Sequence, residues 1–256
     1  MHVDECGAPE RLALTKLLTV PTEHGKLAPA DLRQWEPKRG DEHHVQPRIA
    51  SITQATELGT VYTTPETKAL ADTAHELGML LHVDGARIAN AAVSLDVPLR
   101  AITTDAGVDL VSFGGTKNGL LFGDAVVFLR PGLADSFAFT RKQLAQLNSK
   151  MRFAAAQFEA LLGPGELWLR NAANSNAMAT RLADAVSSLD DLEIVHPVEA
   201  NAIFARLPRQ AIDRLAPDHP FYVWDEAAGV VRWMCSWDTT PEDVDAFAAA
   251  VAAALT

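Results

Sequence analysis

Residues 111–123 read VSFGGTKNGLLFG. An apolar run ending at Phe113 leads into Gly114 and Gly115, a single lysine follows at Lys117, and Gly119 precedes a second apolar run. The first run has the character of a buried strand, and flanking glycines let the backbone turn sharply against a flat neighbour. An ammonium group at the mouth of such a strand is expected to be desolvated. Desolvation disfavours the charged form and favours the neutral, nucleophilic amine.

Working outward, strands and helices alternate around this stretch. RIASITQA (48–55) is a β-branched, mostly apolar segment, and TPETKALADTAHELG carries helix signals: Thr64 as candidate cap, Pro65 in the first turn and Gly78 at the end. Leu70, Ala74 and Leu77 form its apolar stripe. MLLHVD (79–84) and VDLVSF (108–113) read as two further strands. That rhythm predicts an α/β fold with a mostly parallel sheet and helices on both faces. Beyond Gly132, FTRKQLAQLNSKMRFAAAQFEALL predicts one or two amphipathic helices. After GPGE (163–166) a long helix, about 167–189, is followed by four short strand segments, LEIVHP, AIFARL, FYVW and VVRWMCSW, and by a capped helix from Pro241. The expected organisation is a large domain over 1–165 and a smaller α+β domain over 166–256.

Composition narrows the function. The 256 residues are 48% hydrophobic, enough to bury a sizeable core, and 22 basic against 33 acidic residues give a net charge of −11. This balance lacks the basic footprint of a nucleic-acid binder. Cys6 and Cys235 stand far apart in no metal-ligand spacing, which suits free thiols of a reducing cytoplasm. FAAAVAAAL, the alanine-rich C-terminal run, is too short to span a bilayer, and MHVDECGAPERLAL carries charges where a signal peptide needs apolar residues. The reading is a soluble cytoplasmic protein, with neither nucleic acid nor membrane as partner.

Two stretches sit where a parallel sheet offers its ligands, at the carboxyl ends of strands. LHVDGAR places Asp84 at one strand end with Arg87 three residues on, and Lys117 follows the neighbouring strand. Pyridoxal phosphate supplies the complementary half: its aldehyde forms a Schiff base with a lysine, and its ring nitrogen stays protonated beside a carboxylate. Taken singly, Asp84 also reads as a helix cap or a turn former, and neither it nor Lys117 alone marks a site.

At this point the sequence resembles a known family. LHVDGARIANAAVSL and DLVSFGGTKNGLLFGDAVVFL are similar to the corresponding stretches of the low-specificity L-threonine aldolases, of the beta-eliminating lyase group of fold-type I pyridoxal-phosphate enzymes. The resemblance continues through VDECGAPE, GKLAPADLR, QPRIASITQATELGTVYT, RKQLAQLNSKMRFAAAQFEALL, PVEANAIF and VRWMCSWD, and so covers nearly the whole chain. It implies a fold-type I architecture, pyridoxal phosphate as cofactor, a homodimer or homotetramer, and cleavage of L-threonine or L-allo-threonine to glycine and acetaldehyde. It also implies roles. Lys117 matches the lysine that carries the cofactor, Asp84 the carboxylate at the ring nitrogen, Arg87 an arginine near the ring hydroxyl or the substrate, and Arg232 the arginine that grips the substrate carboxylate. A guanidinium suits bidentate capture of a carboxylate, although an ion pair on an edge strand is the plainer reading of Arg232.

Two departures from the family pattern stand out. Where many members have a histidine, QATELGT has Glu57, which either takes the proton from the substrate's β-hydroxyl or orients a water. Members also carry a Gly-Thr phosphate loop and a ring-stacking histidine five residues before the glutamate that matches Glu5, whereas His2 lies three before it. The expectation is a large domain lacking its usual opening segment, with Arg141, Lys142, Lys150 and Arg152 as remaining phosphate candidates or as a solvated helix face. The alternatives within reach are β-elimination or racemisation of another small amino acid, or a catalytically impaired fragment serving as an interaction module.

Overall fold

The computed structural model describes residues 2–256. In chain order its main elements are α1 (Ala8–Ala13), α2 (Pro29–Arg33), β1 (Ile49–Thr53), α3 (Thr64–Glu76), β2 (Leu80–Gly85), α4 (Ile88–Ser94), β3 (Leu110–Gly114) and β4 (Asp124–Phe128). Then come α5 (Phe137–Gln143), α6 (Arg152–Leu162), α7 (Leu167–Val186), β5 (Glu193–Ile194), β6 (Ala202–Arg206), α8 (Arg209–Leu215), β7 (Tyr222–Asp225), β8 (Val230–Met234) and α9 (Pro241–Leu255). No helix among the described residues is long and apolar enough to cross a membrane.

The first sheet has the order β1-β2-β3-β4, with β1, β2 and β3 parallel and β4 antiparallel to β3. Its two faces are unequal, because residues of a strand alternate between them. Ala50, Ile52, Leu81, Val83, Val111 and Phe113 are buried on one face and join Leu70 and Ala74 of α3 and Ile88 of α4 in one core. The other face carries Ser51, His82, Asp84 and Ser112, all half-buried. The cap of α3 is Thr63, one residue before the expected Thr64. Glu66 decides this, since its carboxylate accepts the Thr63 N–H at 2.7 Å while the Thr63 hydroxyl accepts the Glu66 N–H at 3.3 Å.

The second sheet is antiparallel, in the order β5-β6-β8-β7. One face packs Ile203, Ala205, Val231 and Trp233 against Leu182 and Val186 of α7, Ile212 of α8 and Val251 of α9. The opposite face bears Ala202, Phe204 and Arg232, and Leu58, from the loop after β1, packs against it. This contact turns the small sheet toward the carboxyl ends of the parallel strands, where the candidate residues gather.

Candidate active site

Asp84 stands at the carboxyl end of β2, and its Oδ1 accepts the Ala86 N–H at 3.0 Å. This local turn fixes one carboxylate oxygen. The end of β3 crosses directly over it: a Cβ on Gly114 would lie 2.4 Å from the Ala86 carbonyl oxygen, so no larger residue fits there. Lys117 lies three residues further on, in a short 3-10 turn, Thr116–Asn118. Here the structure departs from the expectation of a desolvated lysine. The strand ends at Gly114, and the turn carries Lys117 out to an exposed position.

The lysine turn is held from two sides. Asp124 Oδ1 accepts the N–H groups of Gly115 (3.0 Å) and Thr116 (3.3 Å), and the Thr116 hydroxyl accepts from the Gly123 N–H (3.1 Å). From α7, the Asn171 amide donates to the Asn118 carbonyl at 2.8 Å, while the Asn118 amide donates to the Trp168 carbonyl at 3.0 Å. Gly119 adopts φ 103°, and a Cβ there would come 2.6 Å from Asn171 Nδ2.

The same helix reaches two more parts of the site. Asn174 donates to the carbonyls of Trp237 (3.0 Å) and Thr239 (2.9 Å), in the loop that follows β8. Asn90 of α4 donates to Ser175 Oγ (2.8 Å) and Asn176 Oδ1 (2.9 Å), and Asn176 donates back to the Asn90 carbonyl (2.9 Å). Sequence reasoning missed these asparagines, which look like the polar face of an amphipathic helix. The available signal was three asparagines, poor helix formers, within six residues of a helix interior.

Glu57, Arg87 and Arg232 meet at one point. The loop bearing Glu57 is a tight turn in which the Thr56 N–H donates to the Thr60 carbonyl (2.9 Å) and the two threonine hydroxyls lie 2.7 Å apart, both residues buried. Glu57 projects from its tip. Its Oε2 accepts from Arg232 Nη1 at 3.2 Å, and its Oε1 lies 3.8 Å from Arg87 Nη1. The arginine side chains are 14% (Arg87) and 15% (Arg232) exposed, against 52% for Glu57. Burial pushes the Arg87 guanidinium below its ordinary pKa, Glu57 opposes that shift, and Arg232 adds to it by like-charge repulsion. Arg232 packs over the rings of Trp224 (5.0 Å) and Tyr222 (5.2 Å), and its Nε is buried without a hydrogen-bond partner among the described residues. Two largely buried cations thus share one half-exposed carboxylate.

Behind Asp84 on the half-buried face runs a ladder across all three parallel strands: His82 Nδ1 lies 2.9 Å from Ser51 Oγ, and His82 Nε2 3.0 Å from Ser112 Oγ. Burial holds the His82 imidazole below its ordinary pKa against the opposing pull of Asp84.

Chemically, this donor set fits pyridoxal phosphate. A primary amine and a carboxylate stand at neighbouring strand ends, with close backbone crossing between them and two guanidiniums alongside. The phosphate candidates Arg141, Lys142, Lys150 and Arg152 lie on α5, on α6 and between them, with only Arg141 partly buried. Among the described residues, no hydrogen bond or ion pair joins them to the lysine turn. Two clefts lie elsewhere: a cavity of about 340 Å³ behind β8, lined by Trp233, Cys235 and Phe247, and one of about 880 Å³ at the opposite end of the first sheet, lined by Arg48, Asp109 and Arg130.

Fold and relatives agree on the class of protein. The chain superposes on a threonine aldolase of Leishmania major with a TM-score of 0.90 at 29% identity, over 99% of this chain and 74% of that one, and the fold is that of the fold-type I pyridoxal-phosphate enzymes. Within that class, the chain belongs to the beta-eliminating lyase family of pyridoxal-phosphate-dependent lyases, whose profile matches residues 1–209. It is 43% identical, over 257 aligned residues, to the low specificity L-threonine aldolase of a Pseudomonas strain, an alignment that takes in all of this chain and 74% of the relative. With the low specificity L-threonine aldolase of Pseudomonas aeruginosa it shares 45% identity over 246 residues, 95% of this chain and 70% of the relative.

Proposed function

We propose that the protein binds pyridoxal phosphate and cleaves L-threonine or L-allo-threonine to glycine and acetaldehyde. The observation that carries this reading is the convergence of Arg87 and Arg232 on one carboxylate beside the Asp84 and Lys117 strand ends. An α-amino acid needs that combination: an anion site for its carboxylate at a fixed distance from an amine-reactive centre. The relatives' names supply the substrate class.

When bound, the cofactor supplies an electron sink for the bond that breaks at Cα. Lys117 would hold its aldehyde, and Asp84 would keep a proton on the ring nitrogen; the Ala86 N–H orients one oxygen and leaves the other for that task. Arg87 and Arg232 would fix the substrate carboxylate, with Tyr222 and Trp224 backing Arg232 against solvent. Glu57 would take the proton from the β-hydroxyl, directly or through a water, as the Cα–Cβ bond opens. That proton count closes without consuming water, because Cα gains a proton as the hydroxyl loses one.

The test is product identity. Incubation with pyridoxal phosphate and L-threonine should release acetaldehyde, read by coupled alcohol dehydrogenase, with an equal amount of glycine. Release of 2-oxobutanoate and ammonia instead would make the chain an eliminating enzyme and overturn the reading.

A further inference from the structure

Glu57 contacts both guanidiniums that are proposed to bind the substrate carboxylate. Its contacts with the two arginines are loose for charge-assisted pairs, 3.2 Å and 3.8 Å, whereas Arg181 and Asp245 on the surface form a two-point pair at 2.8 Å on each side. Arg232 Nε is buried, so the terminal nitrogens are the edge that an incoming carboxylate can meet, and Glu57 already holds Nη1. Bidentate capture at that edge therefore brings the incoming carboxylate into competition with Glu57 at Nη1. Its side chain, half-exposed and with no hydrogen bond besides that to Arg232 among the described residues, can swing into solvent or toward the bound ligand.

We infer that Glu57 is an internal surrogate for the substrate carboxylate, neutralising Arg87 and Arg232 in the empty site and exchanging off Arg232 when an amino acid binds. This rests on the proposed role of Arg232 as the carboxylate's partner. The physical reason for a surrogate is electrostatic. Two buried guanidiniums without a counter-charge repel each other and are costly to desolvate, so an empty site needs a resident anion. The cost to the enzyme is competition, since every substrate must displace a tethered carboxylate. The gain is coupling. Arrival of the substrate frees Glu57 beside the β-hydroxyl, so the proton acceptor becomes available only when something is there to be cleaved.

The experiment titrates propionate, a carboxylate without an amine, into the 256-residue chain without cofactor, following the fluorescence of the tryptophans, of which Trp224 lies against Arg232. Glu57→Gln should bind propionate at least about tenfold more tightly than wild type, and Glu57→Ala should shift in the same direction. Arg232→Ala should lose binding in either background. With cofactor, Glu57→Gln should lower both KM and kcat for threonine, a split that a merely structural role would not give. Equal or weaker propionate binding by Glu57→Gln, with the Arg232 dependence intact, overturns the surrogate role alone. Binding indifferent to Arg232→Ala removes the reading of Arg232 on which the inference stands.

Discussion

Glu57 and Arg232, 175 positions apart, meet at 3.2 Å, and through this contact the small antiparallel sheet reaches the loop above the parallel one. The candidate site is therefore shared between two sheets with separate cores, and each half can be tested separately.

Arg232→Ala should raise the apparent KM for threonine strongly while leaving the absorbance of the lysine-bound cofactor unchanged. In the proposed site the arginine meets the substrate's carboxylate rather than the cofactor ring, and it packs on Tyr222 and Trp224 of the small sheet. Loss of a buried charge-assisted contact costs about 2 to 5 kcal/mol. Steady-state kinetics with a cofactor absorbance scan checks both halves of the statement, and an unchanged KM would assign carboxylate binding to another residue.

Asn171→Ala should act on the opposite half. Removing its amide leaves the Asn118 carbonyl, next to Lys117, without its donor, at a cost of about 1 to 3 kcal/mol for a buried polar group. Cofactor affinity, measured by absorbance titration, should fall roughly in proportion, with the KM for threonine little changed. A variant that binds cofactor as wild type does would show that the turn is held adequately by Asp124 alone.

His82 gives a pH prediction. Its folded pKa is depressed by burial below the ordinary 6.5, so the folded state keeps it neutral where the unfolded chain takes up a proton. Its contribution is therefore absent above pH 6.5, and stability falls as pH drops from 6.5 toward the lower folded value. His196, also depressed by burial, adds to the same trend. Urea unfolding at pH 7.5 and 5.5 should show a smaller pH-dependent loss in His82→Gln than in wild type. An equal loss in both would remove His82 as a cause.

The sequence made part of this arrangement legible. Alternating strand and helix signals, with glycines on both sides of one lysine, place Asp84 and Lys117 at neighbouring strand ends because strand order and strand ends are local properties. The Ser51–His82–Ser112 ladder was not legible, since it depends on register between strands. Nor was the exposure of Lys117, which follows from where β3 stops rather than from the apolar run that precedes it. β4 escaped notice because Asp124 and the glycine before it look like loop, yet Asp124 is the residue that clamps the lysine turn. The meeting of Glu57 with both arginines depends on how the small sheet docks on the loop after β1, and no pattern within either segment encodes it.

The proposed chemistry depends first on Lys117 carrying the cofactor. Incubation of the chain with one equivalent of pyridoxal phosphate, reduction with borohydride and peptide mapping tests it without reference to turnover. The reduced pyridoxyl group is expected on Lys117, with loss of that label in Lys117→Ala. A label on Lys26, Lys142 or Lys150 with Lys117 unmodified would contradict it.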